Sequence, residues 1–232
     1  MHRLICVMKP EIVHDLVRSI EAKDLSTAAH TWRVVLYTRA LAEAMGLGQD
    51  EIHALTHAAA LHDVGKIDIP SKILQKPGRL TDEEFEVIKL HPVAGHARMV
   101  DMGVDDEAVL DLIRHHHERW DGRGYPMGLK GEEIPVAARF FSVIDAFDAM
   151  TSVRPYRPVI GEDAAEMAIA ELEANKGTMY WPEAVDAFVD LYRTGKLDYV
   201  IEHFNDSKQV QPFSVELKPG AGRPVIDGTM RD

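Results

Sequence analysis

An all-α fold in a single domain is what this sequence predicts, on three observations. Apolar residues recur at helical spacing in almost every segment, and Gly or Pro punctuates the segments. The chain has 232 residues, 46% of them hydrophobic, enough to bury one substantial core. No internal repeat or interior linker divides it. Residues 1–20 read as a lead-in segment, 21–203 as the domain, and 204–232 as a Gly/Pro-rich tail.

Between 27 and 45, His30, Val34, Tyr37, Leu41 and Met45 share one helical face, and Gly46 ends the run. From 50 to 63, Leu55, Ala58, Ala59 and His62 form the next stripe, which stops near Gly65. Thr81 with Glu84 makes a capping box for a helix that stops around His91. Pro92 suits the first turn of a new helix reaching about Met102. Val109, Leu112, Ile113 and His116 give another inward stripe. Residues 121–135 hold four glycines and two prolines, too many for a regular element, and so long a loop in a compact domain points to function. A strongly apolar helix follows over 136–152 and carries Asp145. Two more, near 162–176 and 182–194, end at Gly177 and Gly195. Phe213 to Leu217 alternates like a short strand.

The net charge of −12 argues against binding a nucleic-acid polymer, which needs clustered Lys and Arg. An acidic protein handling a phosphate substrate must concentrate positive charge locally, and metal ions do that. The single cysteine, Cys6, rules out an internal disulfide and fits a reducing compartment. No apolar run approaches the ~18 residues of a membrane span. The opening apolar patch is broken by Lys9-Pro10 and is too short for a signal peptide, so a cytoplasmic protein is expected.

The adjacent pair His62-Asp63 can supply two unlike metal ligands from one short stretch. With His30, His91, His116, His117 and Asp145 it makes a mixed imidazole and carboxylate set spread over five helices. Such sets suit Mn, Fe, Zn or Ni and are typical of dinuclear hydrolytic sites. One buried histidine is ordinarily a hydrogen-bonded core residue. Five imidazoles and two carboxylates buried together without a cation would leave unpaired polar groups at high cost. Asp63 is the expected bridge between two divalent ions, with His62 and Asp145 on one and His91, His116 and His117 mainly on the other. His30 should complete the sphere. A water held between two cations loses a proton near neutral pH and can attack phosphorus. His53, His57, His115, His14, His96 and His203 are expected to be ordinary surface or core residues.

The ordered motifs resemble the HD-GYP family of bacterial phosphodiesterases. They are His62-Asp63-Val64-Gly65-Lys66-Ile67, Ile73-Leu74-Gln75-Lys76-Pro77-Gly78, and His91-Pro92 with Gly95. His116-His117-Glu118-Arg119-Trp120-Asp121-Gly122-Arg123-Gly124-Tyr125-Pro126 follows, then Asp145 to Thr151 and Arg154-Pro155-Tyr156-Arg157. The match covers about residues 20–195. The resemblance implies hydrolysis of cyclic di-GMP to pGpG and onward to GMP, with iron or manganese as the metals. It places the metal ligands on the seven residues above, and the substrate-phosphate contacts on Lys66, Arg154 and Arg157. Lys66 is thereby expected to act with Asp63 in catalysis. Some members carry a glutamate for a third metal where this chain has Ser26, so two ions are expected. Gly124, Tyr125 and Pro126 are expected to touch substrate or hold the loop, which the family also uses to meet diguanylate cyclase domains. Glu118 and Asp148 are expected as carboxylates orienting ligands. Homodimer formation is left open. Two other readings stand beside this one: a phosphohydrolase for another nucleotide such as cyclic GMP-AMP, and a non-enzymatic scaffold binding the dinucleotide or a cyclase.

Overall fold

The computed structural model describes residues 10–24, 28–152, 161, 163–204, 206, 212 and 213. Helices run in the order α1 (Pro10–Asp24), α2 (Ala28–Ala44), α3 (Gln49–Leu61), α4 (Ser71–Leu74), α5 (Asp82–Ile88) and α6 (His91–Asp101). They continue as α7 (Glu107–His115), α8 (Val136–Thr151), α9 (Ala164–Ala174), α10 (Pro182–Arg193) and α11 (Asp198–His203). Tight single turns cover Val64–Asp68 and Gly131–Glu133, and the described residues contain no β-strand. The all-α expectation holds, as does the irregular connection between α7 and α8. Among the described residues no helix is long and apolar enough to cross a membrane.

Local chemistry explains most boundaries. Gly46 ends α2 with φ at 78°, a left-handed value that costs glycine little. Thr81 Oγ1 accepts from the Glu84 amide, and Glu84 Oε2 accepts from the Thr81 amide at 2.8 Å, so the capping box forms as expected. Asp106 caps α7 by accepting from the Ala108 amide at 3.0 Å. At the centre, Tyr37 of α2, Phe147 of α8 and Phe188 of α10 meet edge to face, with ring centroids 5.0–5.9 Å apart. Each such pair adds about 0.5–1.5 kcal/mol beyond the area it buries.

Helix α1 lies in the stretch expected to be a lead-in. Val13, Val17 and Ile20 are all buried in the common core, so residues 10–20 belong to the packed body. At the other end Phe204 is buried as well, past the expected domain edge at 203. Phe213 packs on Trp32 at 5.0 Å, while residues 214–217 of the expected strand lie outside the described residues.

One close approach fixes the site below. A Cβ on Gly65 would lie 1.9 Å from the His91 carbonyl oxygen and 2.5 Å from the Gly95 amide. Only glycine lets the turn after Asp63 sit directly on the first turns of α6.

Candidate metal centre

The seven expected ligands converge from five helices. His30 stands in the first turn of α2, and His62 and Asp63 directly follow α3. His91 opens α6, His116 and His117 follow α7, and Asp145 lies within α8. They form two triads, His30 with His62 and Asp63, and His91 with His116 and His117, each holding its ligand atoms within 4.8 Å of one another. Asp63 joins them: Oδ2 lies 3.2 Å from His62 Nε2, and Oδ1 lies 3.3 Å from His91 Nε2. Asp145 Oδ1 lies 4.0 Å from His62 Nε2. Among the described residues His53, His57 and His115 join neither triad.

The imidazoles are prepared for a cation. His62, His91 and His116 donate through Nδ1 to the carbonyls of Ala59, Ile88 and Ile113 at 2.7, 2.8 and 3.0 Å. A carbonyl only accepts, so each ring keeps a hydrogen on Nδ1. His91 and His116, which stay neutral, carry a lone pair on Nε2, while His62 would give up its Nε2 proton to an arriving cation. His91 Nε2 and His116 Nε2 then face each other at 3.2 Å, lone pair to lone pair. That contact is repulsive until a cation sits against both, which is the physical test that a metal fits here. Burial, with the neighbouring His62, pulls the His116 pKa down to about 3. Burial likewise lowers His91 to about 3, against the pull of Asp63. Both rings are therefore neutral at physiological pH, as a metal-binding imidazole must be. Burial opposes charge on His62 too, but Asp63 and Asp145 outweigh it and lift its pKa to about 9.

A buried polar layer supports the triads. Asp148, wholly buried on α8, accepts from His30 Nδ1 at 2.7 Å and also from Arg33 Nε. A carboxylate on the far ring nitrogen of a candidate ligand is the contact that the expected orienting role would need. Arg33 also donates to the Phe204 carbonyl at 2.7 Å, Asp206 Oδ1 at 3.1 Å and Ser152 Oγ at 2.7 Å. Lys66 lies between two carboxylates, Asp63 Oδ2 at 2.7 Å and Asp24 Oδ2 at 2.8 Å. Neither Arg33 nor Asp24 was expected in the site. Arg33 had a signal, since it stands three residues from His30 on one helix face. Asp24 had none, because its helix was read as a lead-in.

The Gly-Tyr-Pro loop closes over the second triad. The Tyr125 ring stacks on His117 at 4.7 Å and 27°. Its amide donates to the His117 carbonyl at 3.2 Å. A Cβ on Gly124 would lie 2.4–2.5 Å from Arg119 N, Glu118 Cα and His117 O, so this glycine is required by close approach. Glu118 departs from its expected role. Its buried carboxylate accepts from the amides of Met127, Gly128 and Leu129 at 2.7, 3.1 and 3.1 Å, binding the loop and not a ligand imidazole. Arg154, Arg157 and Ser26 lie outside the described residues.

A family model described as HD domain matches residues 12–184. The chain belongs to the HD domain family. It is 38% identical over 219 residues to a cyclic di-GMP phosphodiesterase of Thermotoga maritima, covering 91% of this chain and 57% of that protein. It is 41% identical over 186 residues to the cyclic di-GMP phosphodiesterase response regulator RpfG of Xanthomonas campestris pv. campestris, covering 77% and 47%. The chain thus spans about half the length of these curated relatives. A solved cyclic GMP-AMP specific phosphodiesterase of V. cholerae shares the fold, with a TM-score of 0.61 at 18% identity over 82% of this chain and 50% of that one.

Within this HD domain Glu118 is open to a direct test. Replacing it by Gln puts an NH2 group against amides that need an acceptor. Each lost charge-assisted bond is worth about 1.5–3 kcal/mol. Hydrogen exchange at Met127, Gly128 and Leu129 should rise at least roughly tenfold, with metal content kept. Unchanged exchange at those amides would show that Glu118 does not hold the loop.

Proposed function

We propose that this HD domain is a metal-dependent phosphodiesterase that opens cyclic di-GMP to pGpG. The observation that carries the reading is the pair of triads, His30–His62–Asp63 and His91–His116–His117, with Asp63 turning one carboxylate oxygen toward His62 and the other toward His91. His30, His62, Asp63 and Asp145 would hold one divalent ion, and Asp63, His91, His116 and His117 a second. Bound there, two iron or manganese ions supply Lewis acidity toward a phosphodiester and a nucleophile from water.

The chain's own groups do the rest. Lys66 has two of its three N–H directions taken by Asp63 and Asp24 among the described residues, and the third is proposed to meet a phosphate oxygen. Arg154 and Arg157, shortly after α8, are proposed to grip the same phosphate. Tyr125 shields His117 from water. Met127, 58% exposed on the loop, gives a cyclase domain an apolar point of contact, and that partner, homodimer formation and a cytoplasmic setting belong to the same proposal.

The deciding experiment is anaerobic loading with Mn or Fe, followed by kcat/KM for cyclic di-GMP, cyclic GMP-AMP and cyclic di-AMP. Cyclic di-GMP should lead, with pGpG as first product. A cyclic GMP-AMP preference would move the substrate while keeping the chemistry. Loaded protein that binds cyclic di-GMP without cleaving any of the three would favour the scaffold. Elemental analysis of the loaded protein should give about two metals per chain, because a serine hydroxyl at 26 is a poor substitute for a carboxylate. Three would show that a third site forms without that carboxylate.

A further inference from the structure

Helix α5 contributes no buried residue to the core. A capping box closes its first turn and a 2.6 Å bridge ties Glu84 to Lys76, so Phe85 on this helix is not a residue of the buried core. Phe85 is 46% exposed and stands edge-on to Tyr125, with centroids 6.4 Å apart. Lys89, one turn further, holds its ammonium 5.7 Å from the Phe85 ring and 5.8 Å from the Tyr125 ring. Its ion pair with Glu86 at 2.6 Å uses a carboxylate that is 67% exposed, a contact that exchanges easily with another acceptor. From the second triad outward the order is thus His117, Tyr125, then Phe85 and Lys89 together. Tyr125 gives one ring face to His117 and has the Lys89 ammonium near its ring, and Phe85 is the more exposed of the two rings at this mouth.

We propose that Phe85 and Lys89 form the subsite for one guanine base of the substrate, which rests on the cyclic dinucleotide reading above. Phe85 stacks on the base, a contact every base can make. Lys89 supplies the discrimination. Guanine presents two acceptors, O6 and N7, on one edge, whereas adenine puts an amino donor where O6 would be. An ammonium is rich in donors and has no acceptor, so it favours guanine and opposes adenine. Phe85 therefore sets affinity and Lys89 sets base choice.

The test uses the metal-loaded chain with Phe85→Leu, Phe85→Trp and Lys89→Met. Leucine keeps the apolar bulk and loses the ring, so kcat/KM for cyclic di-GMP and cyclic di-AMP should both fall about tenfold. Tryptophan should restore both, which a packing role would not predict. Lys89→Met keeps the aliphatic stem and should lower the ratio of cyclic di-GMP to cyclic di-AMP kcat/KM about tenfold. Metal content should stay at the wild-type value in all three. Calorimetric titration with 5′-GMP and 5′-AMP reads the same subsite without turnover, and so keeps a failure of the phosphodiesterase reading separate. Wild type should prefer GMP, and Lys89→Met should lose the preference. An unchanged GMP preference in Lys89→Met, no preference in wild type, or wild-type binding in Phe85→Leu would each overturn the subsite.

Discussion

Replacing Asp63 by Ala should empty the metal centre and lower turnover by roughly a thousandfold or more, the upper scale for losing one group that organises reacting charge. Asp63 gives an oxygen to each triad, at 3.2 Å from His62 and 3.3 Å from His91, so its loss reaches both proposed ions together. The effect goes beyond a missing ligand. Lys66 would keep only Asp24 as its carboxylate partner, and its less-compensated ammonium would repel any incoming cation. Asp63→Asn separates the causes, since it preserves shape and removes charge. Elemental analysis and turnover, measured side by side, should show both variants depleted. Two metals and normal activity in Asp63→Ala would remove Asp63 from the centre.

The largest effect on stability should come from Asp148→Ala. This carboxylate is wholly buried and receives His30, Arg33 and Ser152 together. Burial pushes its pKa up, but the neighbouring His30 and Arg33 outweigh it and hold the group far below the usual carboxylate range. Removing it leaves a guanidinium buried with part of its compensation gone, which costs about 3–5 kcal/mol in buried pairs. His30 would also lose the partner that sets its ring, lowering metal affinity by about 10–100-fold. Denaturant midpoints and metal titrations check the two effects separately. A variant with wild-type midpoint and wild-type affinity would show that the network neither stabilises the fold nor orients His30.

Which parts of this molecule could be read from its sequence follows from how local their causes are. Helices α2, α3, α7 and α8 carry apolar stripes within one segment, and the box at Thr81 lies within four residues. The clustering of the candidate ligands was readable because imidazoles and carboxylates at the inner ends of several helices are hard to explain otherwise, and the structure brings them together in two triads. Helix α1 had its own stripe in Val13, Val17 and Ile20, but Pro10 was read as a breaker when it starts the first turn. Helices α4 and α11 are too short for a period to show. Asp24 and Arg33 find partners 42 and 115 residues away, and no local pattern encodes such pairings. Glu118 beside His117 pointed to a ligand-orienting carboxylate, yet the chain turns after α7 and carries it under the loop.

The contact of Gly65 with the backbone of α6 has a consequence for metal choice. The turn after Asp63 and the start of α6 meet main chain on main chain at Gly65, where the His91 carbonyl and the Gly95 amide lie, with the Val64 and Ile113 side chains packed at Gly95 beside them. Main-chain contacts cannot change rotamer to suit a larger or smaller ion, so the spacing of the two triads would be set before any ion arrived. Ions of different radius would have to adapt through bond length at the rim, where Asp145 keeps 20% of its side chain exposed. Discrimination among divalent metals then falls to the chemistry of nitrogen and oxygen donors and to what the cell supplies, not to an adjustable cavity.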